Sequence, residues 1–462
     1  MTSTGGLSDR LRTAVGAREG EGAVLLWSTA YYFLVFCAYY VIRPIRDEIG
    51  AASGAENLAW LFTGTLAGML IVHPLYSALV SRLTRQRFIA WAYRFFILNL
   101  VAFYFVFRGA DPAEAVWAGR VFFIWTSVFN LFVVSVFWSL VTDLFRPNQG
   151  KRLFGVVAVG GTLGAMLGAT ITTTLVGIVG PMNLMLVSAA IIELAVRASQ
   201  VIDRHEGEMR NAAGDEGEVQ TAASKRDASK DVIGGGVLDG IKHVFSSPYL
   251  FGIASLILFY TISSTFLYFQ QADIVARVFK DDPAERTRIF GMMDIAVNAL
   301  TLIAQLFLTG RVMKWLGVGV ALAFLPLLTL IGFGALGAAP VLSVLLAFQI
   351  ARRACNFAIQ RPAREALFTV LPRTDKYKAK NFSDTFVYRF GDQVGAWSYT
   401  WMAVFGLGAS GLAYTMVPFS ALWLVLTVWL GRRYLRLERG EKGARGGSVT
   451  APAGVAAEAA GR

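Results

Sequence analysis

Charge is scarce in this chain. Charged residues make up 16% of its 462 positions, against roughly 25% in an ordinary soluble domain. Hydrophobic residues reach 55%, and the mean hydropathy is +0.53. A disordered chain is excluded, because disorder needs low hydrophobicity and high charge. A cytosolic enzyme is disfavoured, because a soluble core could not hide so much apolar surface. Cysteine is limited to Cys37 and Cys355, which lie in separate apolar segments, so no disulfide framework is expected and both read as small packing residues. The three histidines, His73, His205 and His243, have no ligand-like spacing, so neither a metal site nor a cofactor is expected. Residues 1–23 hold no apolar run and read as a polar cytoplasmic N-terminus, not a cleavable signal peptide.

What is present is a series of apolar runs. A membrane helix needs about 20 mostly apolar residues, and twelve segments qualify: Val24–Ile42, Leu58–Val80, Phe88–Phe107, Val121–Val141, Leu153–Gly177, Asn183–Ser199, Leu250–Gln271, Ile289–Thr309, Trp315–Gly337, Val341–Gln360, Phe382–Gly406 and Leu412–Leu430. The tenth and eleventh carry internal charge. Residues 200–249 are polar and nearly free of aromatics, which reads as a cytoplasmic linker. The expected fold is therefore an all-α polytopic membrane protein in two pseudo-symmetric six-helix halves, 24–199 and 250–430, with a disordered cytoplasmic tail over 431–462.

The net charge of +12 follows from topology. With the N-terminus inside, inside segments hold about 30 of the 43 lysines and arginines and outside loops about 8, as the positive-inside rule requires. Both termini are then cytoplasmic, in a bacterial inner membrane. No basic domain stands outside the membrane, so nucleic acid is not an expected partner.

Within spans, each charge is expensive, about 2.5–3.5 kcal/mol at mid-bilayer, and is a functional candidate by default. At the end of span one, Tyr39, Arg43 and Arg46 stand at i, i+4 and i+7 on one helical face. Pro44 is expected to kink or end the helix there. Two guanidiniums on such a face suit a multi-oxygen anion; the alternative is an outer cap in which Arg46 pairs with Asp47 or Glu48. Arg94 lies within reach of the interface and can snorkel. Lys151 and Arg152 open span five, as orienting charges or as a cytoplasmic anion gate. In span ten, Arg352 and Arg353 point about 100° apart, so they do not readily face one cavity. In span eleven, Asp384, Tyr388 and Asp392 repeat at i, i+4 and i+8, with Arg389 one step from Asp392. This stripe is the leading cavity-lining face, and the Asp392–Arg389 couple reads as a structural pair, a gate or a proton-sensitive switch. Gly160, Gly164 and Gly168 form a small-residue face on span five that permits close packing or a sliding contact.

Short basic turns follow spans two (81–87) and eight (310–317), resembling in degraded form the loop of major facilitator transporters. Four segments carry a closer resemblance: Arg43-Pro-Ile-Arg46-Asp47, Phe137-Trp138 through Lys151-Arg152, the stretch from Arg288 to Asp294, and Pro362-Ala-Arg-Glu365 through Lys376-Tyr-Lys378-Ala-Lys380. They resemble motifs of the ATP:ADP antiporters of plastids and intracellular bacteria, a nucleotide-exchange family regarded as distant relatives of the major facilitators. The resemblance implies alternating-access exchange and makes Arg46, Lys151, Arg152, Lys378 and Lys380 candidates for phosphate contact. The chain departs from the pattern at Arg46, where the family has Lys, at Gln149, where it has an acid, and at Tyr268, Gln270 and Gln271 in span seven.

These features are together those of a secondary-active, non-enzymatic carrier of a small anion such as a nucleotide. Arg43, Arg46, Lys151, Arg152, Lys378, Lys380, Arg389 and Asp392 are the binding or gating candidates, and Asp384 and Asp392 the coupling candidates. A proton-coupled carrier of another small molecule is the alternative. A non-transporting sensor or assembly protein is the third reading. The sequence leaves the oligomeric state open.

Overall fold

The structure is a computed structural model, and it describes residues 21–82, 85–145, 147–212, 244–245, 247–280, 282–371, 380 and 382–446. The described chain is helical throughout, with short turns. Ten of its helices are long and apolar enough to cross a membrane. One of these, Leu153–His205, belongs to a longer helical run, Pro147–Ala212, that folds back at Gly180 and so supplies two spans. The segment 383–404 forms a further helix, giving twelve in all. We number them α1 Glu21–Ala52, α2 Gly54–Arg82, α3 Arg85–Gly109, α4 Pro112–Leu144, α5 147–179, α6 181–212, α7 Pro248–Val278, α8 Pro283–Trp315, α9 Gly317–Ala338, α10 Leu342–Val370, α11 383–404 and α12 Ala409–Gly446.

Two fold-backs show the repeat. Gly180 (φ 78°) turns α5 into α6, and Gly406 (φ 88°) turns α11 into α12. Both take a left-handed conformation that only glycine adopts without steric cost, and they occupy equivalent places in the two halves. The contacts between halves repeat likewise. α1 packs on α7, α2 on α11 and α5 on α8. A twofold axis relating α1–α6 to α7–α12 carries the second pairing onto the third and the first onto itself.

Several boundaries move outward from the sequence expectation. α1 continues through Pro44 to Ala52 and does not end there; proline is tolerated in membrane helices because neighbours re-satisfy the freed backbone groups. α6 runs to Ala212 and α12 to Gly446, so parts of the expected linker and disordered tail are helical. The rest of both lies outside the described residues.

The glycine face of α5 has a specific use. A Cβ at Gly160, Gly164 or Gly168 would strike the carbonyl oxygens of Thr29, Phe33 and Cys37 respectively. α1 and α5 therefore touch backbone to backbone, and dispersion over that contact holds them in lipid, where apolar surface alone gives no drive to associate. Thr172 Oγ1 adds a hydrogen bond of 2.8 Å to the Val41 carbonyl. This rigid α1–α5 pair fixes the end of α1, where the charged residues lie.

Three apolar clusters organise the interior. One is built on α1–α6 and another on α7–α12. The third crosses between halves, joining Ala51, Leu58, Leu61 and Phe123 to Phe266, Phe269 and Val297. It lies at the end of the bundle where α1 turns into α2, and it seals that end.

Candidate functional site

The last turns of α1 hold four charged side chains, all of them partnered, with Asp47 shared between Arg46 and, at 3.9 Å, Arg43. Arg43 Nη1 donates to Asp294 Oδ1 of α8 at 2.6 Å. Arg46 donates through Nε to Ser127 Oγ of α4 at 2.9 Å and through Nη1 to Asp47 Oδ1 at 3.0 Å, and its guanidinium lies 4.1 Å from the Phe123 ring centroid. Asp47 also accepts from Tyr268 Oη of α7 at 2.9 Å. Glu48 Oε1 accepts from Arg286 of α8 through Nη2 at 2.7 Å and Nε at 3.1 Å. The remaining Nη1 of Arg286 donates to the carbonyls of Phe279 and Lys280 in the α7–α8 turn. Three successive bonds, from Arg43, Asp47 and Glu48, thus latch the first half onto the second. The alternative in which Arg46 pairs with Asp47 is realised locally; Glu48 goes elsewhere, to Arg286.

On the other side of the same end, α2 meets α11. Thr63 Oγ1 donates to Gln393 Oε1 at 2.9 Å and accepts from Trp397 Nε1 at 3.2 Å. Thr400 Oγ1 reaches the Ala55 carbonyl at 3.3 Å. Where α8 crosses α5, Gly291 lies so close to Thr173 that a Cβ would overlap the threonine hydroxyl.

Beneath this seal lies a cavity of about 170 Å³. Tyr39, Arg46, Phe62, Thr65, Ser127 and Asn130 line it from the first half, and Arg389, Asp392 and Gln393 from the second. Arg389 Nη1 donates to Asp392 Oδ2 at 3.2 Å, and Thr265 Oγ1 of α7 donates to Oδ1 at 3.3 Å. The cavity thus presents an arginine from each half, one carboxylate and several neutral donors.

The sequence candidates divide sharply. Arg46, Arg389 and Asp392 come together in the cavity. Arg43 lies one turn away and turns to α8. Asp384 does not follow Asp392 into the cavity: it lies 3.8 Å from Arg364 of α10. The expected i, i+4, i+8 stripe assumed a regular α-helix, but Ser383–Val387 forms a π-turn, which changes the angular step between Asp384 and Tyr388. Lys380, which precedes α11, pairs with Glu365 of α10. The side chains of Lys151 and Arg152 and all of Lys378 lie outside the described residues. Gln149, where the resemblance expects an acid, donates to Glu21 Oε1 at 2.9 Å. Arg94 reaches Glu193 of α6 at 3.4 Å.

Arg352 and Arg353 diverge. Arg353 Nη1 joins Arg43 on Asp294 Oδ1, at 2.9 Å. Arg352 is fully buried and donates to Ser263 Oγ, Thr329 Oγ1 and the Tyr260 carbonyl. Among the described residues it has no carboxylate partner. Sequence reasoning passed over Arg286 and the partners Ser127, Asn130 and Gln393. Arg286 lies before the apolar stretch of α8 in sequence, and neutral polar residues give no signal against the many others in membrane helices.

A family model described as "Major Facilitator Superfamily" matches residues 25–360. No curated protein matches the chain. Among solved structures, the chain is similar to a D-xylose-proton symporter, at 13% identity over 88% of this chain and 96% of that one, with a TM-score of 0.57. It is similar to the inward open form of the xylose transporter XylE from E. coli, at 13% identity over 88% and 95%, with a TM-score of 0.55. It is also similar to the nucleoside transporter NupG, at 13% identity over 90% and 99%, with a TM-score of 0.52. Likeness at this identity is likeness of fold; function must be argued from the site.

Proposed function

We propose, for a chain that belongs to the major facilitator superfamily, that it is a secondary-active carrier of a small anion, phosphorylated or carboxylated, with nucleotides the leading candidates and exchange the mode. The cavity between halves carries the reading. Arg46 and Arg389 enter it from opposite halves beside a single carboxylate, Asp392. A guanidinium offers paired planar donors that match carboxylate and phosphate oxygens, and an anion between the two would be held by both halves at once. That is the placement alternating access requires of a substrate. The wider interior has the same bias: among the described residues Arg43, Arg46 and Arg353 share two acids, Asp47 and Asp294, and Arg352 has none.

With both termini cytoplasmic, in a bacterial inner membrane, the sealed α1–α2 end faces outward. The described state is then closed to the outside, and transport proceeds by rocking of 24–199 against 250–430 about the cavity. A thermal-shift screen of the purified protein tests the substrate class, because a ligand that binds only the folded state stabilises it by mass action. ADP, ATP and small organic phosphates or dicarboxylates should raise the melting temperature in a saturable way, while neutral sugars and nucleosides should not. Stabilisation by neutral or cationic ligands alone would overturn the reading.

Asp392 supports a second reading. It is a carboxylate in the cavity wall, held by Arg389 and a threonine, where a proton could compete with the arginine. Flux driven by a pH gradient without any counter-substrate would favour proton coupling through Asp392 over exchange.

A further inference from the structure

Asp294 stands in an unusual place. It is a carboxylate from the second half, 1% exposed, on which two arginines of different helices converge. Arg43 of α1 and Arg353 of α10 both donate to the same oxygen, Oδ1, at 2.6 and 2.9 Å. The other oxygen, Oδ2, is buried without a hydrogen-bond partner. The donors are also underused. A guanidinium carries five N–H groups, yet among the described residues Arg43 and Arg353 each make one hydrogen bond, the one to Asp294, and Arg43 adds only a longer ion pair, Nε to Asp47 Oδ2 at 3.9 Å. Both arginines keep some exposure, 16% and 14% of the side chain, so neither is walled off. The arrangement is an anion site of two guanidiniums, filled by a carboxylate that matches it poorly.

We propose that Asp294 is a resident stand-in for the substrate anion, and that the pair Arg43 and Arg353 forms a second anion position, for a phosphoryl group, which the substrate gains by displacing Asp294. This rests on the anionic reading of the cavity and names the chemistry within it. A carboxylate offers two oxygens and here uses one. A phosphoryl group offers three and can engage both guanidiniums in parallel, the geometry in which arginine binds most strongly. Arg43 lies one helical turn from Arg46 on α1, so one elongated phosphorylated molecule can reach both positions.

The consequence concerns affinity. Arg43 belongs to the first half and Asp294 and Arg353 to the second, so a phosphoryl group on the two arginines bridges the halves as Asp294 does in the empty carrier. Asp294, once displaced, is left buried without a partner, which is strongly unfavourable, and that cost is subtracted from the affinity of the native protein for the anion.

The test uses full-length protein and its Asp294→Asn variant, with ADP and inorganic phosphate as probes by isothermal titration. If Asp294 competes with the substrate, removing its charge should tighten ADP binding at least tenfold. Arg43→Gln and Arg353→Gln should each weaken ADP binding in the native background and cancel the gain in the Asp294→Asn background. Unchanged or weaker ADP binding by a well-folded Asp294→Asn overturns the stand-in while leaving the anion reading intact. No anion binding by either protein removes both. Should Asp294→Asn fail to fold, Asp294→Glu keeps the charge but lengthens its reach. It must then shift ADP affinity by severalfold, and an unaltered affinity overturns the proposal.

Discussion

Arg46 and Arg389 reach one cavity from opposite halves of the molecule, each steadied by a carboxylate on its own helix, Asp47 and Asp392. Neither is free to leave its helix, so any ligand they share is handed between halves as these move. Loss of either should act on affinity first. A hydrogen bond to a charged group contributes about 1.5–3 kcal/mol, which is roughly 10- to 100-fold in affinity. Arg46→Gln and Arg389→Gln should each raise the apparent KM for the transported anion by that factor with little change in expression or melting temperature. Kinetics of uptake in proteoliposomes check this; native KM values in both variants would remove them from the site.

The Glu48–Arg286 pair is buried, and Arg286 uses all three of its nitrogens, on Glu48 Oε1 and on two backbone carbonyls. Removing one partner of such a pair costs about 3–5 kcal/mol, because the other is left charged and alone. Glu48→Ala should therefore lower the thermal midpoint in detergent more than the double variant Glu48→Ala/Arg286→Met, in which no orphan charge remains. A double variant as unstable as the single one would show that the pair contributes little and that α1 is held at this end by packing.

Gly164 and Gly155 give a matched comparison on α5. A Cβ at Gly164 would overlap the Phe33 carbonyl of α1, while one at Gly155 meets nothing. Gly164→Ala should destabilise by about 1–3 kcal/mol, the usual cost of overpacking. Gly155→Ala should be neutral or slightly stabilising, because alanine favours helix by about 1 kcal/mol over glycine. Thermal unfolding of the two variants side by side reads the difference.

The contact of Thr400 Oγ1 with the Ala55 carbonyl, 3.3 Å across the sealed end, offers a reversible lock. In a background with Cys37→Ser and Cys355→Ser, the pair Ala55→Cys and Thr400→Cys should cross-link on oxidation and stop transport, and reductant should restore it. Undiminished transport by the fully cross-linked protein would mean that this end does not open during the cycle.

Much of this architecture is legible in the sequence, because a membrane helix announces itself as a run of apolar residues and each in-span charge stands out against it. Arg46, Arg389 and Asp392 are found that way. Asp384 misleads, since a π-turn is invisible in the spacing that places it with Asp392. Pro44 misleads for another reason: the penalty it carries in water is relieved by packing that only the tertiary structure supplies. The convergence of Arg43 and Arg353 on Asp294 joins three helices far apart in sequence, and no local pattern encodes it.

The central claim is that the cavity between halves carries an anion, and counterflow tests it most directly. Proteoliposomes holding the native protein and loaded with unlabelled ADP should accumulate external labelled ADP transiently. The accumulation should vanish with Arg46→Gln/Arg389→Gln and fall with competing organic phosphates. Counterflow of a neutral sugar or nucleoside, with no flux of any phosphorylated or carboxylated anion under any preload, would contradict the account.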